Sequence, residues 1–188
     1  LNAIKKEFPV DIIRAGHIYS ENSIPTPYLS SGYEYIEFLK QAKYAILPFS
    51  INSKWALLHT DDFAFNFFKI IIKKKFSYGN IINIASEKKI LWKDIVNIYL
   101  IFLNKKVHFR KIDPKIFPKK ILTAITGDRA KNSSYKNLFF KKNFGKFIEK
   151  KKINKNLTIS IKNFIKKKEK ITLNNRIIKL FFKIQNTI

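Results

Sequence analysis

The chain has 188 residues, 46% of them hydrophobic, enough for one domain or a little more with a real core. It contains no cysteine, which excludes a disulfide scaffold, a cysteine-ligated zinc site and a cysteine nucleophile. Lys and Arg total 38 against 13 Asp and Glu, a formal net charge of +25. No apolar run approaches the ~20 residues that a membrane-spanning helix needs, so a cytoplasmic or organelle-interior protein is expected.

In chain order, residues 1–7 read as the end of a helix and residues 10–13 as a short strand. Residues 15–31 collect Gly, Ser, Asn and two prolines, which signals a loop. Tyr33, Ile36 and Leu39 alternate with charged residues in an amphipathic helix over 33–42. Residues 45–49 and 55–59 read as strands around a polar turn at 50–54. Thr60 is placed to cap the next helix, with Asp61 and Asp62 in its first turn, where carboxylates favour the helix dipole. Gly79 marks a turn and residues 81–85 a short apolar strand suited to a parallel sheet. Trp92, Ile95, Val96, Tyr99, Leu100 and Leu103 fall on one helical face. Residues 107–112 alternate like a strand, Pro114 suits a helix start, and 158–167 and 173–184 read as helices. Strand, helix, strand, helix, strand indicates an α/β chain with parallel pairing.

Much of the charge follows from composition. Lys, Ile, Phe, Asn and Tyr make up 109 of the 188 residues, and all five have A/T-rich codons. The distribution is still uneven: residues 1–100 carry 13 basic and 9 acidic side chains, and residues 101–188 carry 25 and 4, net +21. Such a tail attracts polyanions through counterion release. Only Arg110, Arg129 and Arg176 within it could make bidentate base contacts. The charge therefore suits a nonspecific RNA-binding module better than a sequence reader. A weaker option is attachment of residues 176–184, an apolar and basic helix, to a membrane surface.

No self-contained catalytic constellation is present. Three histidines without cysteine do not suggest a metal site, and the five glycines at 16, 32, 79, 127 and 145 are too dispersed for a phosphate loop. No GxSxG elbow occurs. Trp55 and Trp92 read as packing residues, and Asp62 as a helix-terminus carboxylate.

An ordered series of segments carries a resemblance. Arg14-Ala15-Gly16-His17-Ile18-Tyr19-Ser20 is similar to the R-P-G/S-x-x-Y-G segment of the extended short-chain dehydrogenases/reductases, the NAD-dependent epimerase/dehydratase family. Trp55 to Ala64 resembles its H-V-D-D-x-A segment, Gly79 to Ser86 its G-x-x-Y-N-I-x-S strand, and Leu91 to Ile95 its T-W-x-x-I helix start. Gly127-Asp128-Arg129 and Asn143-Phe144-Gly145 are similar to elements near its C-terminus. The match runs from about residue 8 to residue 145, with a weaker echo to 168. Ala15 stands where the family has Pro, Ser20 where it has Gly, and Leu91 where it has a capping Ser or Thr. The family's Gly-rich dinucleotide loop and Tyr-x-x-x-Lys pair have no counterpart here; none of the eight tyrosines has Lys four residues on. In the family both precede the Arg14-like segment, so with no Met in the chain they are expected ahead of Leu1.

The resemblance implies a partial Rossmann-like parallel sheet plus a small, mostly helical substrate-side region. Residues 1–126 would be the C-terminal part of the Rossmann-like domain with substrate-side insertions, and 127–188 a Lys-rich helical region. It implies NAD or NADP, held mainly by the missing half, a nucleotide-sugar substrate and a homodimer. Because the loop after Arg14 leaves the carboxyl end of a strand, where ligand crevices form, Ala15, Gly16 and His17 are the cofactor-side candidates. Tyr19, Lys43 and Arg129 are the substrate-side candidates.

Overall fold

The computed structural model describes residues 10–28, 32–48, 52–73, 79–167 and 170–187. The expected helix end at 1–7 and residues 50 and 51 of the expected turn at 50–54 lie outside them. The described strands are β1 (Ile12–Ala15), β2 (His17–Tyr19), β3 (Tyr44–Pro48), β4 (Lys54–Trp55), β5 (Leu57–His59), β6 (Ile81–Ile84), β7 (Ile90–Leu91) and β8 (His108–Ile112). The helices are α1 (Tyr33–Gln41), α2 (Thr60–Ile72), α3 (Trp92–Phe102), α4 (Lys119–Thr126), α5 (Leu138–Phe144), α6 (Ile153–Lys167) and α7 (Asn175–Thr187). The mixed α/β fold class and its parallel pairing are as expected. The chain divides into two units of alternating stretches: Leu1–Ile18, Ala56–Lys89 and Ser134–Lys151 form the first, and Tyr19–Trp55, Ile90–Ser133 and Lys152–Ile188 the second.

In the first unit β1 and β6 run parallel, Ile12 opposite Ile81 and Ala15 opposite Ile84. Alternate strand positions face opposite sides. Ile82 and Ile84 join Leu58, Ile70, Phe140, Phe144 and Phe147 in a buried cluster, with Ile13, Phe63 and Phe139 packed on it. Part of the expected 15–31 loop is strand: β2 pairs with β5. The cap of α2 is also not Thr60. His59 precedes the helix and its Nδ1 accepts the Asp61 N–H at 3.1 Å, so the ring does what a Ser or Thr hydroxyl does elsewhere.

Asp62 has a larger job than helix-end electrostatics. It is buried on α2, and its two oxygens accept the N–H groups of Lys150 (3.2 Å) and Lys151 (2.9 Å). One turn on, the Asn66 amide donates to Ile148 O at 2.6 Å and accepts the Ile148 N–H at 3.0 Å. The two polar side chains clamp the extended 148–151 segment, supplying partners that its backbone lacks in any sheet.

The second unit is built on aromatic packing. β3 and β8 are parallel, Tyr44 opposite His108 and Pro48 opposite Ile112, and β4 pairs antiparallel with β7. The Phe181 ring of α7 lies 4.8 Å from Tyr28, 5.3 Å from Tyr35 and 5.2 Å from Phe38, centroid to centroid. Burying such a ring is worth roughly 1.5–3 kcal/mol. Gly32, at the start of α1, has φ +89° and leaves no room for a Cβ beside the Ile24 carbonyl, so glycine is required there. Pro114 opens a short 3-10 turn (Pro114–Ile116), and the α-helix starts only at Lys119. The apolar side of α7 is not offered to a membrane: Phe181 and Ile184 are buried in the core. No helix among the described residues is long and apolar enough to cross a membrane.

Candidate functional site

The carboxyl ends of β1 and β6 meet at Gly16, and Asn137 holds the end of β6. Gly16 donates its N–H to Ile84 O at 3.0 Å. A Cβ on Gly16 would stand 2.6 Å from the Ala85 Cβ, closer than such atoms approach, so the absent side chain is what lets the segment after β1 lie against the end of β6. Asn137 completes the junction: its amide is fully buried, donates to Ala85 O at 2.8 Å and accepts the Ala85 N–H at 3.3 Å. One side chain thus satisfies both backbone groups of the residue that ends the strand.

Ser86 follows, fully buried; its hydroxyl donates to Glu149 Oε1 at 2.7 Å and accepts the Lys88 N–H at 3.0 Å. Beyond it opens a cleft of about 740 Å³ lined by Glu87, Lys88, Lys141, residues 145–148, Glu149 and Lys150. Glu87 is paired with Lys141 at 2.6 Å, and that ammonium, outweighing the opposing effect of burial and helped by the Asn137 contacts, holds its carboxyl below the usual carboxylate range. With Glu149 holding Ser86 and Glu87 holding Lys141, the lining keeps an excess of lysine charge. This arrangement suits an anionic ligand.

In the second unit the tyrosines are hydrogen-bond donors and not proton acceptors. Tyr28 and Tyr35 donate to Ile46 O at 2.9 and 2.7 Å, and Tyr99 donates to Pro25 O at 2.6 Å. Burial raises the pKa of each far above the ordinary phenol. The Arg129 guanidinium donates to the carbonyls of Thr26, at 2.7 Å, and Tyr28, and lies 5.9 Å over the Trp92 ring. Burial lowers its pKa. Trp55 and Trp92 pack on one another, centroids 5.2 Å apart, as packing residues do.

No protein-family model and no curated protein matches the sequence. Solved structures do match. UDP-glucuronic acid 4-epimerase from Bacillus cereus, in complex with UDP-glucuronic acid and NAD, is 13% identical, with 88% of this chain and 48% of that chain covered and a TM-score of 0.66. The dTDP-glucose 4,6-dehydratase of Streptomyces venezuelae, with NAD bound, is 16% identical over 87% of this chain and 47% of that one, TM-score 0.63. UDP-glucose 4-epimerase from Thermotoga maritima, with UDP-glucose, is 13% identical over 88% and 49%, TM-score 0.59. The fold is that of the NAD-dependent epimerases and dehydratases. The chain spans about half the length of the solved structures it matches, and at these identities the likeness establishes the epimerase fold alone.

Within that epimerase fold the predicted residues are placed as follows. Ala15 (exposed), Gly16 and His17 (half-buried) follow one another at the carboxyl edge of β1. The space at Gly16 is taken by Ala85, so these three could form one wall of a dinucleotide site but not its phosphate cradle. Tyr19 is 2% exposed and belongs to the core. Lys43 is exposed, and its backbone N–H donates to Gln185 Oε1 at 2.8 Å. Arg129 is engaged with the 26–28 loop. The structure brings Ala15, Gly16 and His17 together but gives Lys43 and Arg129 different neighbours. Among the described residues no group of three or more His, Asp or Glu is placed to hold a metal. Sequence reasoning missed Asn137, Ser86 and the lysine-lined cleft. Asn137 stands among other polar residues ahead of Leu138-Phe139-Phe140, and nothing local marks it out.

Proposed function

We propose that this chain is the substrate-side portion of an NAD(P)-dependent epimerase, dehydratase or reductase acting on a nucleotide-linked sugar. The observation that carries this reading is the fold likeness, which extends over 86–89% of the chain to proteins of that chemistry. A catalytic Tyr, with its pKa lowered by Lys four residues on, and the Gly-rich loop that seats the pyrophosphate at a helix N-terminus would lie in a preceding half. NAD(P), when bound, supplies the hydride acceptor and donor. The present residues orient and enclose. Ala15 and His17 line one wall beside the strand ends, held by the Gly16–Ile84 hydrogen bond and the Asn137 amide. On the substrate side the reading assigns Tyr19, Lys43 and Arg129 to supporting positions, Arg129 through the loop it holds.

Reading the genomic frame upstream of Leu1 tests this: a Gly-rich strand-turn-helix and a Tyr-x-x-x-Lys pair are expected, and finding neither refutes the enzyme assignment. Calorimetry on the 188-residue chain is expected to detect no NAD affinity, and tight binding would mean the cofactor site is misplaced. The net +21 of residues 101–188 supports a second reading, a basic nonspecific RNA-binding module. RNA binding that persists well above physiological salt favours it, because a merely lysine-rich surface releases RNA steeply as salt rises.

A further inference from the structure

The lysine-lined cleft of the first unit has no part in the proposed function: none of Ala15, Gly16, His17, Tyr19, Lys43 and Arg129 lines it. Its volume of about 740 Å³ lies within the roughly 300–1,000 Å³ of small-molecule sites. Its walls are held from two sides. On one, Ser86 donates to Glu149 at 2.7 Å and Lys141 pairs with Glu87 at 2.6 Å. On the other, α2 fixes the backbone that follows Gly145. Asn66 accepts the Ile148 N–H, Asp62 accepts those of Lys150 and Lys151, and the Lys69 ammonium donates to Lys146 O at 2.7 Å. Ser86, Asp62 and Asn66 are all buried. Buried polar groups thus hold an irregular segment in one conformation, as a preformed site requires. Gly145, at φ +83°, would meet nothing within 4 Å with a Cβ, so the cleft is open beside it.

Charge and polarity select the ligand. The lining carries Lys88, Lys141, Lys146 and Lys150 against Glu87 and Glu149, four cations to two anions, net +2. Lys141 is taken up by Glu87, and the Lys150 ammonium lies 5.5 Å over the Phe65 ring. Lys88 and Lys146 enter no ion pair among the described residues. Phe147 and Ile148 add an apolar lining, with the Phe147 ring braced edge-on against Phe140 at 5.4 Å. A phosphate monoester carries a charge of about −2 near neutral pH, which matches the lining, and lysine is a common phosphate partner. A bare inorganic ion would use neither the apolar lining nor most of the volume. We infer that this cleft is a binding site for a small organic phosphate, its phosphoryl group held by Lys88 and Lys146 and its apolar part laid on Phe147 and Ile148.

The probe is 1-naphthyl phosphate, titrated calorimetrically into the 188-residue chain near neutral pH and at about 0.15 M salt. Inorganic phosphate and 1-naphthol serve as its two halves. Saturable binding at one site per chain is expected, with each half weaker by about 10-fold or more. Lys88→Gln combined with Lys146→Gln should weaken the probe by about 10-fold or more. Lys179→Gln combined with Lys183→Gln on α7 removes the same charge and should change affinity by less than about twofold. Glu87→Gln releases Lys141 and should tighten binding by about twofold or more. Absence of saturable binding overturns the inference. Equal losses from the two lysine pairs do so as well, because attraction by the whole charge would then suffice. Inorganic phosphate or 1-naphthol binding as tightly as the probe removes the organic phosphate as ligand. Weaker binding in Glu87→Gln contradicts the charge argument and overturns it. Single-stranded RNA that binds through Lys88 and Lys146 while the probe does not bind assigns the lysines to nucleic acid and also overturns it.

Discussion

Two phenylalanines on amphipathic helices meet opposite fates in this molecule. Phe181 on α7 is fully buried among Tyr28, Tyr35 and Phe38, whereas Phe68 on α2 is 58% exposed. Spacing alone describes both helices equally well, since each has apolar residues at helical intervals. They differ in how much of the buried face is given to polar anchors. On α7 the buried Gln185 accepts the Lys43 N–H and pins the helix with its aromatic side inward. On α2 the buried positions include Asp62 and Asn66, spent on the 148–151 backbone, so several large apolar side chains are turned outward. On α2 two polar side chains occupy buried positions, where α7 has one and keeps Phe181 inward.

Mutations sharpen this contrast. Phe181→Ala is expected to cost about 3–5 kcal/mol, as a large buried ring leaves a cavity, seen as a lower melting midpoint and lost near-ultraviolet dichroism. Phe68→Ala in the same chain should change stability by less than about 0.5 kcal/mol; a comparable loss at both positions would break the comparison. Asp62→Ala is expected to cost about 2–3 kcal/mol, because the Lys150 and Lys151 N–H groups lose their acceptor, with faster hydrogen exchange at 148–151 as the local sign. Gly16→Ala should cost about 1–3 kcal/mol by overpacking against Ala85, again read by thermal melting.

The smallest effect is electrostatic. The Glu87 carboxyl is held low by Lys141, so its stabilising contribution is present above the unfolded carboxylate pKa of about 4.3. That contribution is lost as pH falls through the lower folded value. Both partners are substantially exposed, which limits the pair to about 0.5 kcal/mol. Glu87→Gln should lower stability by about 0.5 kcal/mol at neutral pH and leave it unchanged at strongly acid pH, which flattens the acid limb of the stability curve.

The elements most legible in the sequence were those with long periodicity or unmixed burial. Trp92 to Leu103 gave α3 within one residue, and residues 81–85 gave β6. The 55–59 run was read as one strand, but Ala56 breaks it into β4 and β5, which pair with β7 and β2. A five-residue run carries no mark of a change of partner. Thr60 lost the capping role to His59 because a ring nitrogen can accept as well as a hydroxyl. For the candidate site, the resemblance pointed to Ala15, Gly16 and His17, three consecutive residues that begin at the last position of β1. Asn137 and Ser86 act through contacts 52 and 63 positions away in sequence, distances that local pattern cannot encode.

The alternation of chain between the two units has a practical consequence for dissection. Each unit is stitched from three separate stretches, so every single cleavage or truncation point removes part of at least one of them. Neither can be expressed as a contiguous piece. Isolating the aromatic unit would require deleting both intervening stretches and splicing across them, with new linkers where the backbone now departs and returns.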